Sequence, residues 1–300
     1  MNDAPITWHP DPTRPRLRLP AGSADTHCHV FGPAAVFPFN PESRYTPGDA
    51  PKERLFALHD MLGIHRRVIV QAGIHGFDNS VIADAIAARP DSTRGIALAP
   101  PDITAGEIAR LAGQGFRGIR YNYMSHLPPG ASAEELRMLA PRMAEAGWHL
   151  VIHMEARLIA EMAPLLAEMP LPVVVDHMGR IPAADGPDQA PFTALMRLME
   201  HEHVWVKVCG NERASSRPYP HDDATPFARR LVDAFPDSVL WGTDWPHPNF
   251  PDAPPDDGKL VDLLADIAPD AGALHRLMVD NPARLYDFGP LEGAGAAPGR

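Results

Sequence analysis

The strongest constraint on what this 300-residue chain can fold into is an alternation. Short apolar runs, many rich in Val and Ile, recur at residues 24–29 (ADTHCH), 67–72 (RVIVQA), 94–99 (RGIALA), 117–122 (RGIRYN), 149–153 (HLVIH), 173–177 (VVVDH), 204–208 (VWVKV) and 239–244 (VLWGTD). Runs this short and this apolar are the pattern of strands buried on both faces, as in a parallel sheet. Between them lie segments with apolar residues three and four apart, at 51–63, 78–88, 104–113, 132–146, 157–168, 190–201, 223–235 and 257–267, the spacing of amphipathic helices. Eight strand–helix units with no long polar linker predict one α/β domain, a closed (β/α)8 TIM barrel, rather than two domains.

Local punctuation agrees with that division. Thr104 with Glu107, and Ser132 with Glu135, are capping-box patterns at helix starts. The chain has 35 prolines, where average usage of about 5% would give far fewer. Pro51, Pro172, Pro226 and Pro282 sit where elements begin or end, so the excess reads as loop stiffening and boundary marking. Residues 1–22, with five prolines, are expected to form an extended arm, 23–287 the barrel and 288–300 a frayed tail. The arm could embrace a neighbouring subunit, giving a homo-oligomer, or wrap its own barrel.

Composition narrows the partners. With 27 Lys and Arg against 38 Asp and Glu, the formal charge of −11 argues against nucleic acid or an anionic membrane surface. Any anionic ligand has to be captured locally. Two cysteines are too few for a disulfide framework, no apolar run approaches the roughly 18 residues of a membrane span, and the first 20 residues lack an apolar signal core, which makes the cytoplasm the expected compartment.

In a (β/α)8 barrel the active site lies at the C-terminal ends of the strands, and the polar residues of this chain concentrate there. The first strand ends in Asp25-Thr26-His27-Cys28-His29, where period-two alternation points both histidines to one face and allows them to grip one cation. The fourth ends in Arg120-Tyr121-Asn122-Tyr123, the fifth in His153 with Glu155 beyond it, and the sixth in Asp176-His177-Met178-Gly179-Arg180. The seventh leads into Cys209-Gly210-Asn211-Glu212-Arg213, and the eighth closes on Thr243-Asp244-Trp245-Pro246-His247-Pro248. A lone strand-end histidine is more often structural than functional. Two on the first strand, one each on the fifth and sixth, and an aspartate on the eighth together point to a site. Asp25 and Asp176 are expected to face away from the mouth, orienting an imidazole or capping a loop. His59, His65, His149, His201, His203 and His275 read as solvated or structural, Cys28 as a small buried hydrophobe, and Lys207 as snorkelling, paired or catalytic.

With their flanks, these residues resemble the amidohydrolase superfamily. Asp25–Pro33, Asp176–Arg180, Trp241–Pro248 and Asp280–Tyr286 resemble its lactonase branch, that of the pyrone-dicarboxylate and sulfomuconolactone lactonases, over roughly residues 24–287. The resemblance implies hydrolysis of a small anionic lactone: Asp244 as general base on water, with His27, His29 and His177 around the carbonyl oxygen. It implies that Arg120, Arg180 and Arg213 hold substrate carboxylates, with Asn122, His126 and His247 as further substrate-binding candidates at the same mouth. Where the pyrone lactonase has a tyrosine and needs no metal, this chain has His153, which restores a zinc-type shell of His27, His29, His153 and Asp244. One zinc ion is therefore expected, with metal-free operation as the alternative. A further arginine of the pyrone lactonase is replaced by His126, which weakens the case for the same dicarboxylate. Lactone isomerisation, metal-dependent decarboxylation and a ligand-binding barrel without catalysis are the competing readings.

Overall fold

A computed structural model describes residues 6–43, 46–250 and 253–290. Eight parallel strands form one sheet in sequential order: β1 (Ala24–Cys28), β2 (Arg66–Val70), β3 (Thr93–Ala97), β4 (Phe116–Tyr123), β5 (His149–Met154), β6 (Val173–Val175), β7 (Val204–Lys207) and β8 (Val239–Leu240). The seam between β8 and β1 is joined by backbone hydrogen bonds from Thr26 to Trp241 and from Asp244 to His27. The chain is a (β/α)8 barrel.

Two apolar clusters explain why the strands are buried on both faces. Val68, Val70, Ile96, Val151, Val174, Trp205 and Leu240 fill the barrel, closed below by Tyr286 and Phe288. The alternate residues, such as Val173, Val175, Val204 and Val206, face the helices. Period-two alternation therefore aims Trp205 and then Lys207 up the interior of β7.

Each predicted helical segment contains helix, beginning with α1 (Lys52–Leu62). Ser132 and Glu135 make the full reciprocal capping box. Thr104 accepts from the Glu107 amide, but the Glu107 carboxylate pairs with Arg110 instead of returning to the cap. The eighth strand is shorter than its apolar run, because beyond Leu240 the chain closes on β1. A Cβ on Gly242 would lie 2.5 Å from the His27 amide nitrogen, so only glycine allows that approach.

The described part of the arm lies on its own barrel. Thr13 bonds Asp256, Arg16 and Leu17 bond Asp262, and the Trp8 ring sits 6.4 Å from that of Trp245. Residues 1–5 of the arm and 291–300 of the tail lie outside the described residues. Both cysteines are free and buried. Among the described residues no helix is long and apolar enough to cross a membrane.

Candidate active site

The strand ends surround a cavity of about 600 Å³, lined by His29, Arg120, Asn122, His126, His153, His177, Arg180, Arg213 and Asp244 among others. Of the predicted site residues, only His27 and His247 do not line it. Several reach it through left-handed backbone: φ is +51° at His177, +55° at Arg180 and +62° at Asp244. Non-glycine residues rarely adopt this conformation, and they cluster where side chains must be aimed.

Asp244 is the hub. One carboxylate oxygen accepts from Arg213 Nε at 2.5 Å, and the other lies 3.1 Å from His29 Nε2, 3.5 Å from His27 Nε2 and 3.9 Å from His177 Nε2. Burial alone would raise its pKa, but Arg213, His177 and the contact to His29 hold it well below the usual carboxylate range. Burial drives His177 and His153 well below the ordinary imidazole value, so both are neutral near pH 7. Burial and then the Lys207 charge push His27 down to about 4.

The ring partners assign the tautomers. His29 Nδ1 faces the Val70 carbonyl at 2.7 Å and must donate to it, so Nε2 is an acceptor in the neutral ring or a donor in the imidazolium. His153 Nδ1 lies 3.0 Å from the Asn122 side-chain oxygen and donates likewise, leaving a buried Nε2 without a partner.

The arginines differ in how they are held. Arg120 Nε donates to Asp176, and Arg213 spends Nε on Asp244 and Nη2 on the Pro248 carbonyl. Among the described residues the Arg180 guanidinium makes no hydrogen bond or ion pair. Burial and the neighbouring Arg213 bring its pKa down to about 10.

Three placements differ from expectation. Asp176 does not face away from the mouth: the alternation that points Val174 into the barrel carries the Asp176 carboxylate inward as well, 3.0 Å from Lys207 Nζ and 2.9 Å from Arg120 Nε, while the left-handed backbone at His177 brings that ring to the mouth too. His247 lies behind the wall, its Nε2 spent on Asp257 at 3.1 Å. His27 is also beneath the wall, fully buried, its ring centroid 4.4 Å from that of His177. Asp25 behaves as an outward anchor: it accepts from His59, Thr243 and the His27 amide. Glu155 is held outside the cavity by the Ser125 amide and Arg157.

Among the described residues three groups of donor atoms lie mutually within 4.8 Å: His27, His177 and Asp244 at the mouth, Glu212, Asp244 and His247 beside it, and Asp25, Cys28 and His59 behind it. His153 belongs to none of them. Asp176, read as facing away, is the missed participant, and Lys207, left as snorkelling, paired or catalytic, is paired; the available signal was an aspartate just past one all-apolar strand and a lysine at the end of another.

Eight strands in sequential order, two first-strand histidines, a sixth-strand histidine and an eighth-strand aspartate at one mouth define an amidohydrolase barrel, and the chain belongs to the amidohydrolase family, whose signature matches residues 24–288. It is similar to 2-pyrone-4,6-dicarboxylate hydrolase of Comamonas testosteroni, at 45% identity over 94% of this chain and 95% of that one. It is also similar to 4-sulfomuconolactone hydrolase of Rhizobium radiobacter, at 40% identity over 89% and 91%. A solved Agrobacterium tumefaciens structure superposes with a TM-score of 0.80 at 26% identity, covering 92% of this chain and all of that one.

Proposed function

We propose that this chain is a lactonase that opens a small lactone bearing carboxylate or sulfonate groups, the chemistry common to the substrates named in its two relatives. The observation that carries this reading is Arg180. A largely buried guanidinium without a protein partner among the described residues, flanked by Arg120 and Arg213 and facing Asp244, is suited to hold a substrate anion at the reacting end of the cavity. It also explains how a chain of charge −11 takes an acid.

The arrangement supports the following sequence. Asp244 accepts a proton from water as its oxygen attacks the lactone carbonyl carbon, and the resulting oxyanion meets the His177 edge of the cavity. Collapse breaks the ring C–O bond, and Asp244 returns the proton to the leaving oxygen, so lactone plus water becomes the ring-opened acid. In the free site Arg213 weakens Asp244 as a base. A substrate anion competing for that guanidinium loosens the hold and restores basicity when substrate is present.

The residues do not suit the expected zinc shell. His153 stands apart from the donor cluster, and Asp244 is already engaged by Arg213. We therefore favour direct hydrogen bonding over a metal. Incubation with 2-pyrone-4,6-dicarboxylate and 4-sulfomuconolactone in ¹⁸O-water, followed by NMR and mass spectrometry, tests the reaction. Ring-opened acid carrying one ¹⁸O is expected. A rearranged ring without label would replace hydrolysis with isomerisation, and carbon dioxide release would replace it with decarboxylation.

A further inference from the structure

Beneath the mouth lies a fully buried group that the proposed reaction does not use. Lys207, the last residue of β7, is 0% exposed, and its Nζ donates to His27 Nδ1 at 2.9 Å. The same Nζ is 3.0 Å from Asp176 Oδ1. That oxygen is also 3.2 Å from His27 Nδ1, so Lys207 and Asp176 compete for that nitrogen, and the shorter contact is the lysine's. Lysine has donors only, so the imidazole nitrogen facing it must be the acceptor. In the neutral ring the proton then sits on Nε2, the nitrogen that points up toward Asp244 and has no partner of its own.

The neighbouring histidine is treated in a similar way. Cys209, two residues on from Lys207, has its Sγ 3.5 Å from His177 Nδ1. The thiol is kept protonated by burial, so it has an S–H to donate to that nitrogen, an arrangement that leaves the His177 proton on Nε2 as well. A Cβ on Gly210 would come within 3.2 Å of His177 Nδ1, so the backbone also packs against that edge of the ring.

We propose that Lys207, seconded by Cys209, is a positioning residue that fixes the tautomers of His27 and His177, so that both present N–H donors toward Asp244 and neither presents a lone pair to a metal. A neutral imidazole binds a metal through its unprotonated nitrogen. In the cluster of His27, His177 and Asp244 both outward nitrogens are protonated, and the site is built for donors. Lys207 acts through His27 and does not touch substrate. Asp176, clamped by Lys207 and Arg120, holds the ammonium in place.

The inference deepens the lactonase reading, but its test does not depend on turnover. Long-range ¹H–¹⁵N correlation spectra of the full chain near pH 7, with signals assigned by His27→Asn and His177→Asn, report each tautomer directly. Both rings are expected to be Nε2-protonated, and an Nδ1-protonated His27 in the wild-type protein overturns the proposal. Lys207→Met should move the His27 proton to Nδ1, facing Asp176. After exposure to excess zinc and desalting, that variant should retain zinc where the wild type retains none. A full equivalent of zinc held by the wild type, or an unchanged His27 tautomer in folded Lys207→Met, also contradicts it. If Lys207→Met does not fold, the wild-type spectrum decides alone, and Lys207→Gln, whose amide can donate to the same nitrogen, should keep the Nε2 form. Where the lactonase reading holds, Lys207→Met lowers kcat by about tenfold or more while KM changes little, since a wrong tautomer disables chemistry rather than binding.

Discussion

Arg180 on the cavity wall and Lys207 on the barrel floor are both cations inside one acidic protein, and they are treated in opposite ways. Lys207 is completely buried and fully engaged, by Asp176 and His27. Arg180 is left without a partner among the described residues, and its charge is already weakened by burial and by Arg213. Removing a charge from water costs several kcal/mol unless it is paired, so the floor follows the ordinary rule and the wall breaks it. The paired cation holds a machine part in place. The unpaired one is, in the proposed reaction, the group that takes the substrate anion.

Asp244, which stands between wall and floor, should show the largest effect. Asp244→Asn keeps the shape, and general-base contributions of about 10²–10⁴ set the expected loss in kcat, read in steady-state kinetics on an anionic lactone. Turnover near that of the wild type would remove the base from the mechanism.

Arg180→Met should sharpen the contrast. A hydrogen bond to a charged group is worth about 1.5–3 kcal/mol, so KM for an anionic lactone should rise about 10- to 150-fold, with kcat less affected and an uncharged lactone little affected. Equal losses on charged and neutral lactones would assign Arg180 to structure instead.

The smallest effect is in the pH profile. Asp244 is ionised and His177 neutral throughout the neutral range, so neither should add an inflection to kcat/KM there. Arg180 is charged below its pKa and neutral above it, so on the alkaline side KM should climb as pH passes about 10. On the acid side the decline should begin as His27 gains its second proton, near about 4. An inflection between pH 6 and 7 that His177→Asn abolishes would mean that this ring titrates in the working site, contrary to the direction in which burial drives it.

Most of the barrel was legible because its signals are local. The eight short runs, many of them Val- and Ile-rich, the Ser132–Glu135 cap and the helical spacing each depend on residues near in sequence, and each matches the structure to within a few residues, apart from the end of the eighth run. The HxH pair and Asp244 could be placed because strand alternation carries side chains to a known end of the barrel. Asp176 follows the same alternation, since Val174 points into the barrel; what the sequence could not show is that His177 reaches the mouth as well, through the left-handed backbone at His177–Arg180. Lys207 was ambiguous for another reason: its partners, His27 and Asp176, are 180 and 31 residues away. Whether a buried lysine is paired is a property of the closed barrel. For the same reason His27 and His247 could be assigned to the mouth but not to a depth within it.

The central claim is that an anionic lactone is opened by Asp244 and hydrogen-bond donors without a metal. Turnover of 2-pyrone-4,6-dicarboxylate and 4-sulfomuconolactone by protein purified without chelator, with its metal content measured on the same sample before and after chelation, tests it most directly. The account predicts ring opening of at least one of them at a rate that chelation leaves unchanged, by protein holding far less than one metal per chain. Activity that tracks zinc content, lost on chelation and restored by zinc, would contradict it.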